Sequence, residues 1–307
     1  MTNDMQKIAY EGIDNELYIK RDDLYPFSFG GNKAKIAMEF MQDLKEKGKN
    51  CMVGYGLSSS NLNRAVASLC AKEGIPCHII ASDPEPESWK ETYNSKMVRA
   101  TGAEFHLCNK KDEYEFTVNL LEDLKKQGYD PYYINGNPDR TGNEVVPMRA
   151  YAKEYGELGE EFDYVFVPMG AAMTVSGLIA GKARFGGKIN IVGISIARLK
   201  ERGDFVVRQC LDAYARAYGM ERIPDEGYTL VYDYICDGYA KYNAEIAGVI
   251  DKVWGTLGIP LDPCYTGKAF WGMTEFIKKN NITGKKILFI HTGGTPLFFN
   301  YLESKNV

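Results

Sequence analysis

The chain alternates short apolar runs with amphipathic segments over most of its length. Several of the runs are typical of strands buried on both faces: 76–82 (PCHIIAS), 163–170 (DYVFVPMG) and 189–197 (INIVGISIA). The segments around them space their apolar residues as helices do: 34–48, 63–74, 87–102 and 174–186. This alternation predicts parallel sheets covered by helices on both faces. In such folds ligands collect at the carboxyl ends of the strands, in glycine-rich turns before helices.

The composition excludes several functions. The chain has 307 residues, of which 45% are hydrophobic and 25% charged, which suits one large globular domain or two ordinary ones. The formal net charge of −4 argues against a nucleic-acid partner, and no apolar run reaches the about 18 residues that a membrane span needs. Seven cysteines without a CxxC pair, and only three histidines, predict free thiols, a reducing cytoplasm and no metal site.

Four turns satisfy the rule for ligand sites: 30–33, 56–61, 168–177 and 291–295. MGAAMTVSGL (169–178) leads from a strand into a helix through small residues, which allows backbone N–H groups to approach an anion. For SSSN (58–61) alone, helix capping is the better interpretation. HTGGT (291–295) places a threonine beside two glycines, where a simple strand-ending turn is the alternative.

Lys33 follows two glycines and an asparagine at the point where a helix begins (GGNK, 30–33). A surface lysine with Asn32 as the helix cap is the simplest explanation. A positive charge in the first turn is, however, unfavourable against the helix dipole. A lysine in a partly desolvated pocket can instead lose its charge and act as a nucleophile or a base.

These segments are more informative together than singly. LDPCYTGKAFWGM (261–273) adds Tyr265 and Thr266, and a core aromatic and a site residue are equally good interpretations of the tyrosine. The set then contains a lysine, an anion-binding turn and hydroxyl-bearing turns, without a metal cluster or a dinucleotide motif. A phosphate-bearing aldehyde cofactor needs such a set.

The ordered motifs resemble the D-cysteine desulfhydrase and 1-aminocyclopropane-1-carboxylate (ACC) deaminase family, from about Lys20 to about Phe299. The motifs are KRDDLYPFSFGGNKAK (20–35), SSSN (58–61), the turn at 169–178, DPCYTGKAFWG (262–272) and HTGGT (291–295). The resemblance implies the tryptophan synthase β-like fold of pyridoxal 5'-phosphate enzymes (fold type II). That fold has two three-layer α/β/α domains with mostly parallel sheets and the active site in the interdomain cleft. The domains would be 1–42 with 148–307, which binds the cofactor, and 43–147.

The resemblance also assigns residues to the cofactor. Lys33 would bind it covalently and would move the proton at the substrate α-carbon. Asn61 would hydrogen-bond the ring oxygen, and Thr292 or Thr266 would lie near the ring nitrogen. The phosphate would be held by a loop of five residues: Gly170, Ala171, Ala172, Met173 and Thr174.

On the substrate side, Ser60 would lie near the carboxylate or assist proton transfer. Tyr265 would face the substrate, and Tyr239 in DGYAKYN (237–243) is expected as a second active-site tyrosine. The stretch NGNPDRTGNE (135–144) departs from the family pattern at the substrate carboxylate, so the natural substrate stays open.

Two further departures bear on the chemistry. The phosphate loop reads GAAMTVSG where family loops read like GSGGTxAG, so the cup keeps its backbone donors but changes shape. ACC deaminases carry Glu after the tyrosine (YEGK), whereas this chain has YTGK. A hydroxyl beside the ring nitrogen gives a weaker electron sink than a carboxylate, which favours β-elimination over opening of a cyclopropane ring.

The expected function is therefore a pyridoxal phosphate-dependent lyase that converts a small amino acid into an α-keto acid and ammonia. Within the same cofactor class, β-replacement and an ACC deaminase-like reaction stay open. A non-catalytic amino-acid binder on the same scaffold is the alternative from another class. The resemblance implies a homodimer, and no membrane partner is expected.

Overall fold

The computed structural model describes residues 4–158 and 162–305. Its strands are β1 Met5–Ile8, β2 Glu16–Lys20, β3 Cys51–Gly56, β4 Cys77–Asp83, β5 Glu104–Asn109, β6 Pro131–Tyr133, β7 Tyr164–Met169, β8 Asn190–Ser195, β9 Tyr228–Val231 and β10 Lys286–Ile290. Its helices are α1 Asn32–Glu46, α2 Asn61–Glu73, α3 Tyr93–Ala100, α4 Glu113–Lys126, α5 Val146–Leu158, α6 Met173–Phe185, α7 Lys200–Ala217, α8 Ala244–Leu257, α9 Thr266–Lys279 and α10 Thr295–Ser304.

The chain forms two compact units, Met1–Asn32 with Met148–Val307, and Lys33–Pro147. The first unit contains a six-stranded sheet in the order β1-β2-β10-β7-β8-β9. Only β1 is antiparallel to its neighbour, and the other pairs of this sheet are parallel. The domain boundary expected after residue 42 stays a prediction, because α1 runs without a break through that position.

Helices cover both faces of the six-stranded sheet. On one face, Val175 of α6 packs over Gly193 of β8. On the other, Val192 and Ile194 belong to a buried cluster with residues of α8 and α9, among them Phe270. Neighbouring residues of β8 therefore face different helices, which explains why its interior positions, 191–194, are apolar on both faces.

The second unit contains a four-stranded sheet in the order β5-β4-β3-β6, in which every pair is parallel. Val66 of α2 packs over Gly54 on one face, and Val53 and Ile80 form a buried cluster with Leu124 of α4 on the other. Both units are thus α/β/α sandwiches with mostly parallel sheets. The predicted fold class is confirmed.

One predicted helix is shorter than expected. The pattern predicts a helix over 87–102, whereas α3 begins at Tyr93. Thr92 caps it, since its hydroxyl accepts from the Ser95 N–H and the Ser95 hydroxyl accepts from the Thr92 N–H in return. This capping box satisfies the first N–H groups and fixes the helix start.

Two further features bear on the expectations from composition. All seven cysteines are unpaired, and six of them are buried. Over the described part of the chain, no helix combines the length and apolarity that crossing a membrane requires.

Candidate active site

The glycine turn before Lys33 is held by backbone contacts on both sides. Gly30 and Gly31 have φ values of +61° and +85°, which favour glycine. A Cβ on Gly31 would lie 2.6 Å from the carbonyl oxygen of Thr292. The Gly31 N–H donates to Asp22 (2.6 Å), and the Asn32 N–H donates to Thr292 (3.0 Å). The start of α1 is therefore fixed against two other backbone segments.

The KRDD motif (20–23) supports this turn through buried ion pairs. Lys20 pairs with Asp22 at 3.0 Å and with Glu154 at 2.7 Å. Arg21 donates to both carboxylate oxygens of Asp23, at 2.8 and 2.7 Å. Burial opposes the charge on Lys20, but the carboxylates of Asp22 and Glu154 outweigh it and raise the pKa of Lys20. The motif is structural here, because it anchors the segment that receives Gly31.

Lys33 lies in the first turn of α1 and is half-buried. Its amino group has no hydrogen bond and no ion pair within residues 4–158 and 162–305. Burial lowers the pKa of Lys33 from 10.5 to about 8, and no carboxylate offsets the effect. In roughly a tenth of the molecules the Lys33 amine is then neutral at pH 7. Lys20 shows the opposite behaviour because it is surrounded by carboxylates.

The predicted phosphate loop forms the start of α6. Ala172 precedes the helix in the left-handed conformation (φ 72°), and no side chain caps the first turn. The first N–H groups of this helix are therefore available to an anion. Thr174 accepts a hydrogen bond from the Asn32 side chain at 2.9 Å, which ties the residue before Lys33 to the loop.

Gly170, in the phosphate loop, is in close contact with Tyr265 and Arg198. A Cβ on it would lie 3.2 Å from the Tyr265 ring. Its carbonyl accepts a hydrogen bond from Arg198 Nε at 2.8 Å. Arg198 was not expected from the sequence, because nothing in its own segment shows that it reaches residue 170. Ala171 is exposed and Met173 is partly buried, so both border the open side of the loop.

The two predicted tyrosines lie together. The hydroxyl oxygens of Tyr239 and Tyr265 are 2.7 Å apart, and the rings meet edge to face with centroids at 5.9 Å. Burial raises the pKa of both hydroxyls, and for each the neighbouring tyrosine is a further influence. Both therefore stay protonated at neutral pH; one hydroxyl donates to the other, and the proton of the accepting hydroxyl is available to a ligand.

Asp262 organises the turn that carries Tyr265 and Thr266. It is completely buried and accepts from the backbone N–H groups of Cys264, Tyr265 and Thr266, at 2.9, 2.8 and 3.0 Å. The sequence pattern predicts only a turn at this aspartate. An Asp followed by Pro marks the turn, but nothing local shows that its carboxylate is buried.

The two threonines considered for the ring nitrogen are in different situations. The Thr266 hydroxyl is fully buried; it donates to the Asp262 carboxylate at 2.7 Å and accepts from the Asp262 N–H at 2.8 Å. The Thr292 hydroxyl makes no hydrogen bond within the described part of the chain. Thr292 is also the residue whose carbonyl accepts from Asn32. The geometry favours Thr292 as the hydroxyl that is free for a ligand.

In the second unit, Ser60 and Asn61 begin α2 at the carboxyl end of β3. Ser60 caps the helix, since its hydroxyl accepts from the N–H groups of Leu62 and Asn63 at 3.1 and 3.3 Å. Its own proton stays available. The Asn61 side-chain oxygen accepts from Asn94 Nδ2 at 3.0 Å, which points the Asn61 amide nitrogen away as a free donor. Asn94 was not expected from the sequence.

A half-buried lysine that has no partner among the described residues, and a helix start in the other unit that can take a phosphate, each suit an aldehyde cofactor with a phosphate tail. Two α/β/α units with mostly parallel sheets are typical of the fold type II class of pyridoxal phosphate enzymes. The chain belongs to the pyridoxal-phosphate dependent enzyme family, whose profile matches residues 5–293. The predicted cofactor is confirmed at the level of this family.

The curated relatives carry two different names. A "putative 1-aminocyclopropane-1-carboxylate deaminase" of Pyrococcus horikoshii is 31% identical over 297 residues, 94% of this chain and 87% of the relative. A "D-cysteine desulfhydrase" of Serratia proteamaculans is 28% identical, over 94% of this chain and 89% of the relative. The predicted family resemblance is confirmed.

Solved structures agree. A crystal structure of an "ACC deaminase homologue" superposes with a TM-score of 0.82 at 29% identity, over 94% of this chain and 87% of the other. A hydrogen sulfide-producing enzyme from Fusobacterium nucleatum has a TM-score of 0.65 at 18% identity, over 95% and 94% of the two chains. At that identity the second likeness shows the fold alone.

Proposed function

We propose that this pyridoxal phosphate enzyme is a lyase that eliminates a β-substituent from a small amino acid and releases an α-keto acid and ammonia. The substrate class we propose is a small amino acid with a β-thiol, as in the desulfhydrase relatives. We further propose a cytoplasmic homodimer, on the basis of the family resemblance and the unpaired cysteines.

The state of Lys33 carries the proposal. Its amino group has no partner within the described residues, and burial lowers its pKa to about 8. A surface lysine or a structural ion pair has neither property. A neutral amine can attack an aldehyde carbon and can afterwards accept the proton of a substrate α-carbon. Both the attack on the aldehyde and the acceptance of the proton need a neutral amine, which the lowered pKa of Lys33 provides.

The other residues proposed to hold the cofactor have donors that are not used elsewhere among the described residues. The open N–H groups from Gly170 to Thr174 suit the phosphate, since no side chain caps that helix start. Asn61 would offer its amide nitrogen to the ring oxygen, and Thr292 would offer its hydroxyl to the ring nitrogen. When bound, the cofactor supplies an electron sink for the substrate α-carbon.

On the substrate side, the hydroxyls of Tyr239 and Tyr265 are both protonated, and one proton of the pair is available to a ligand. Because both pKa values are raised, the pair would orient a leaving thiolate by hydrogen bonding and would not protonate it. Ser60 keeps a hydroxyl proton that can be donated to a substrate carboxylate, because its oxygen only accepts within the helix cap.

The choice of elimination depends on the ring nitrogen. With Thr292 as its partner, the ring nitrogen would meet a hydroxyl and not a carboxylate. Asp262 packs against Gly294, but its oxygens already accept three N–H groups and the Thr266 hydroxyl. A neutral ring nitrogen is a weaker electron sink, which suffices when a good leaving group departs from the β-carbon. Opening of a cyclopropane ring demands more.

A substrate panel tests this function. The purified protein is incubated with D-cysteine, L-cysteine, D-serine and ACC, and keto acid, ammonia and sulfide are measured. We expect keto acid and ammonia in equal amounts from a cysteine isomer, with sulfide released alongside, and little product from ACC. Added thiol nucleophiles reveal β-replacement, because a new amino acid then forms at the expense of keto acid.

Two variants complete the test. Lys33→Ala is expected to abolish turnover and to prevent borohydride from fixing the cofactor to the peptide that contains residue 33, as read by mass spectrometry. Lys35→Ala in the same helix is the matched control and is expected to keep both. Turnover of ACC as the best substrate would replace elimination by the deaminase alternative. Tight amino-acid binding that survives Lys33→Ala without any product would support the non-catalytic binder.

A further inference from the structure

Three side chains with metal-ligand atoms lie on one face of the four-stranded sheet. In the register of β4 and β5, His78 pairs with Glu104 and Ile80 pairs with His106. Glu104 and His106 are two positions apart on β5, so they point to the same face. His78 and Ile80 share a face of β4 in the same way. The sheet register therefore brings an imidazole of one strand beside a carboxylate and an imidazole of the next.

The distances between the donor atoms match those between ligands of a single ion. His78 Nδ1 is 3.2 Å from His106 Nε2 and 3.5 Å from a Glu104 carboxylate oxygen. His106 Nε2 is 3.9 Å from the same oxygen. Tetrahedral zinc with bonds of about 2.1 Å separates its ligands by roughly 3.4 Å. The longest distance involves Glu104, whose exposed side chain can close it by rotation.

The two imidazoles are held in place before any ion arrives. His78 is buried, and its ring stacks on that of His106 with an interplanar angle of 8° and centroids 5.4 Å apart. His106 also contacts the Phe116 ring of α4, with centroids at 5.9 Å. Each imidazole can present a lone pair at either ring nitrogen, according to its tautomer, so both facing nitrogens can bind an ion. Glu104 is exposed, so solvent can reach the cluster from its side.

The position of this cluster separates it from the two residues at the start of α2 that are expected to touch the cofactor or the substrate. His78 and Glu104 lie near the amino ends of β4 and β5. Ser60 and Asn61 follow the carboxyl end of β3, which runs parallel to β4 in the same sheet. The cluster thus lies toward the opposite end of these strands from Ser60 and Asn61. Since β5 is an edge strand, an ion here would join it to its only neighbour.

We propose that His78, Glu104 and His106 form a binding site for a divalent transition-metal ion of the zinc type, with water completing the coordination. Two imidazole nitrogens and one carboxylate oxygen suit Zn²⁺, Co²⁺, Ni²⁺ or Cu²⁺ and do not suit Mg²⁺ or Ca²⁺, which prefer oxygen ligands. The ion cross-links β4 and β5 and stabilises the second unit. It takes no part in the reaction.

Titration calorimetry with Zn²⁺ tests the site, using the cofactor-loaded protein without a polyhistidine tag and after treatment with a chelator. We expect one ion per chain, no response to Mg²⁺, and a Zn²⁺-dependent rise in Tm. Co²⁺ should give the visible absorbance of a four- or five-coordinate complex. His106→Ala is expected to abolish binding and the rise in Tm. Glu104→Gln should weaken binding at least tenfold, and it leaves an exposed position that tolerates the change.

Glu115→Gln is the matched control, because it removes an exposed carboxylate of the same unit outside the cluster. It should leave Zn²⁺ affinity unchanged. All three variants should retain the turnover of the wild type. The metal-site proposal can therefore be refuted while the proposed lyase function holds, and the lyase function can be refuted while the metal site holds. A wild-type Kd weaker than about 1 mM overturns the site. So does Zn²⁺ binding of unchanged affinity in His106→Ala, which would place the ion elsewhere, for example on the cofactor phosphate.

Discussion

Replacing Lys33 by methionine is expected to stabilise the cofactor-free protein at neutral pH. Methionine keeps the length and the apolar stem of lysine but removes the ammonium group. Burial lowers the pKa of Lys33 from 10.5 to about 8 without an offsetting carboxylate. The folded state therefore holds this proton less tightly than the unfolded chain, and a charged Lys33 costs free energy of folding.

The size of the effect follows from the pKa values. Each pKa unit corresponds to about 1.36 kcal/mol, so the interval from 10.5 to about 8 is equivalent to about 3 kcal/mol. Because the side chain of Lys33 keeps some contact with water, we expect the methionine variant to be about 2 kcal/mol more stable at pH 7.

The sign of the pH dependence is specific. Below pH 8 both states of the wild type carry the proton, and the full cost is present. Between pH 8 and 10.5 the folded state has released the proton while the unfolded chain still holds it, so wild-type stability rises. Above pH 10.5 neither state holds it, and the difference between wild type and Lys33→Met should be small.

Urea unfolding of both cofactor-free proteins at intervals from about pH 7 to pH 10.5 measures this difference. Titrations of tyrosines and cysteines are common to both proteins and cancel. Lys110→Met, which removes an exposed lysine, shows what the loss of one surface charge does by itself. A Lys33→Met variant no more stable than wild type at pH 7, or a difference that does not narrow above pH 8, would refute the burial argument.

Three further predictions concern the site. Gly31→Ala should destabilise the protein by more than about 2 kcal/mol and abolish turnover, because its Cβ would meet the Thr292 carbonyl. Gly48→Ala is the control: this glycine also has a positive φ (+64°) but faces open space, so the change should cost about 1 kcal/mol and keep turnover. Urea unfolding and keto-acid assays measure the two effects. Thr266→Val should lower stability by about 1–3 kcal/mol, whereas Thr292→Val should change the cofactor absorbance and kcat with little loss of stability; the reverse pattern would assign the ring nitrogen to Thr266. Tyr239→Phe should lower kcat about tenfold with the fold retained, and unchanged kinetics would exclude the tyrosine pair from the reaction.

Much of the fold follows from local pattern. The apolar runs at 163–170 and 189–197 became β7 and β8, because a strand covered on both faces must be apolar throughout. The start of α3 could not be read from periodicity. It depends on the Thr92–Ser95 capping box, which begins the helix later than its apolar residues suggest.

The sequence by itself determined the class of site. The glycine turn before Lys33, the small-residue turn at 169–178 and their order along the chain depend on local backbone chemistry, which neighbouring residues dictate. Because a glycine with positive φ and a helix start are properties of a few consecutive residues, they can be recognised without a fold.

Only the tertiary structure decided which hydroxyl, carboxylate and imidazole groups lie next to each other. The Thr266 hydroxyl donates to Asp262, whereas the Thr292 hydroxyl has no hydrogen bond to any residue that the structure describes, although both stand in similar turns. His78 and His106 lie 28 positions apart and meet only through the register of β4 and β5. Hydrogen bonding and burial are properties of pairs that the fold brings together, and no local pattern records which pairs will meet.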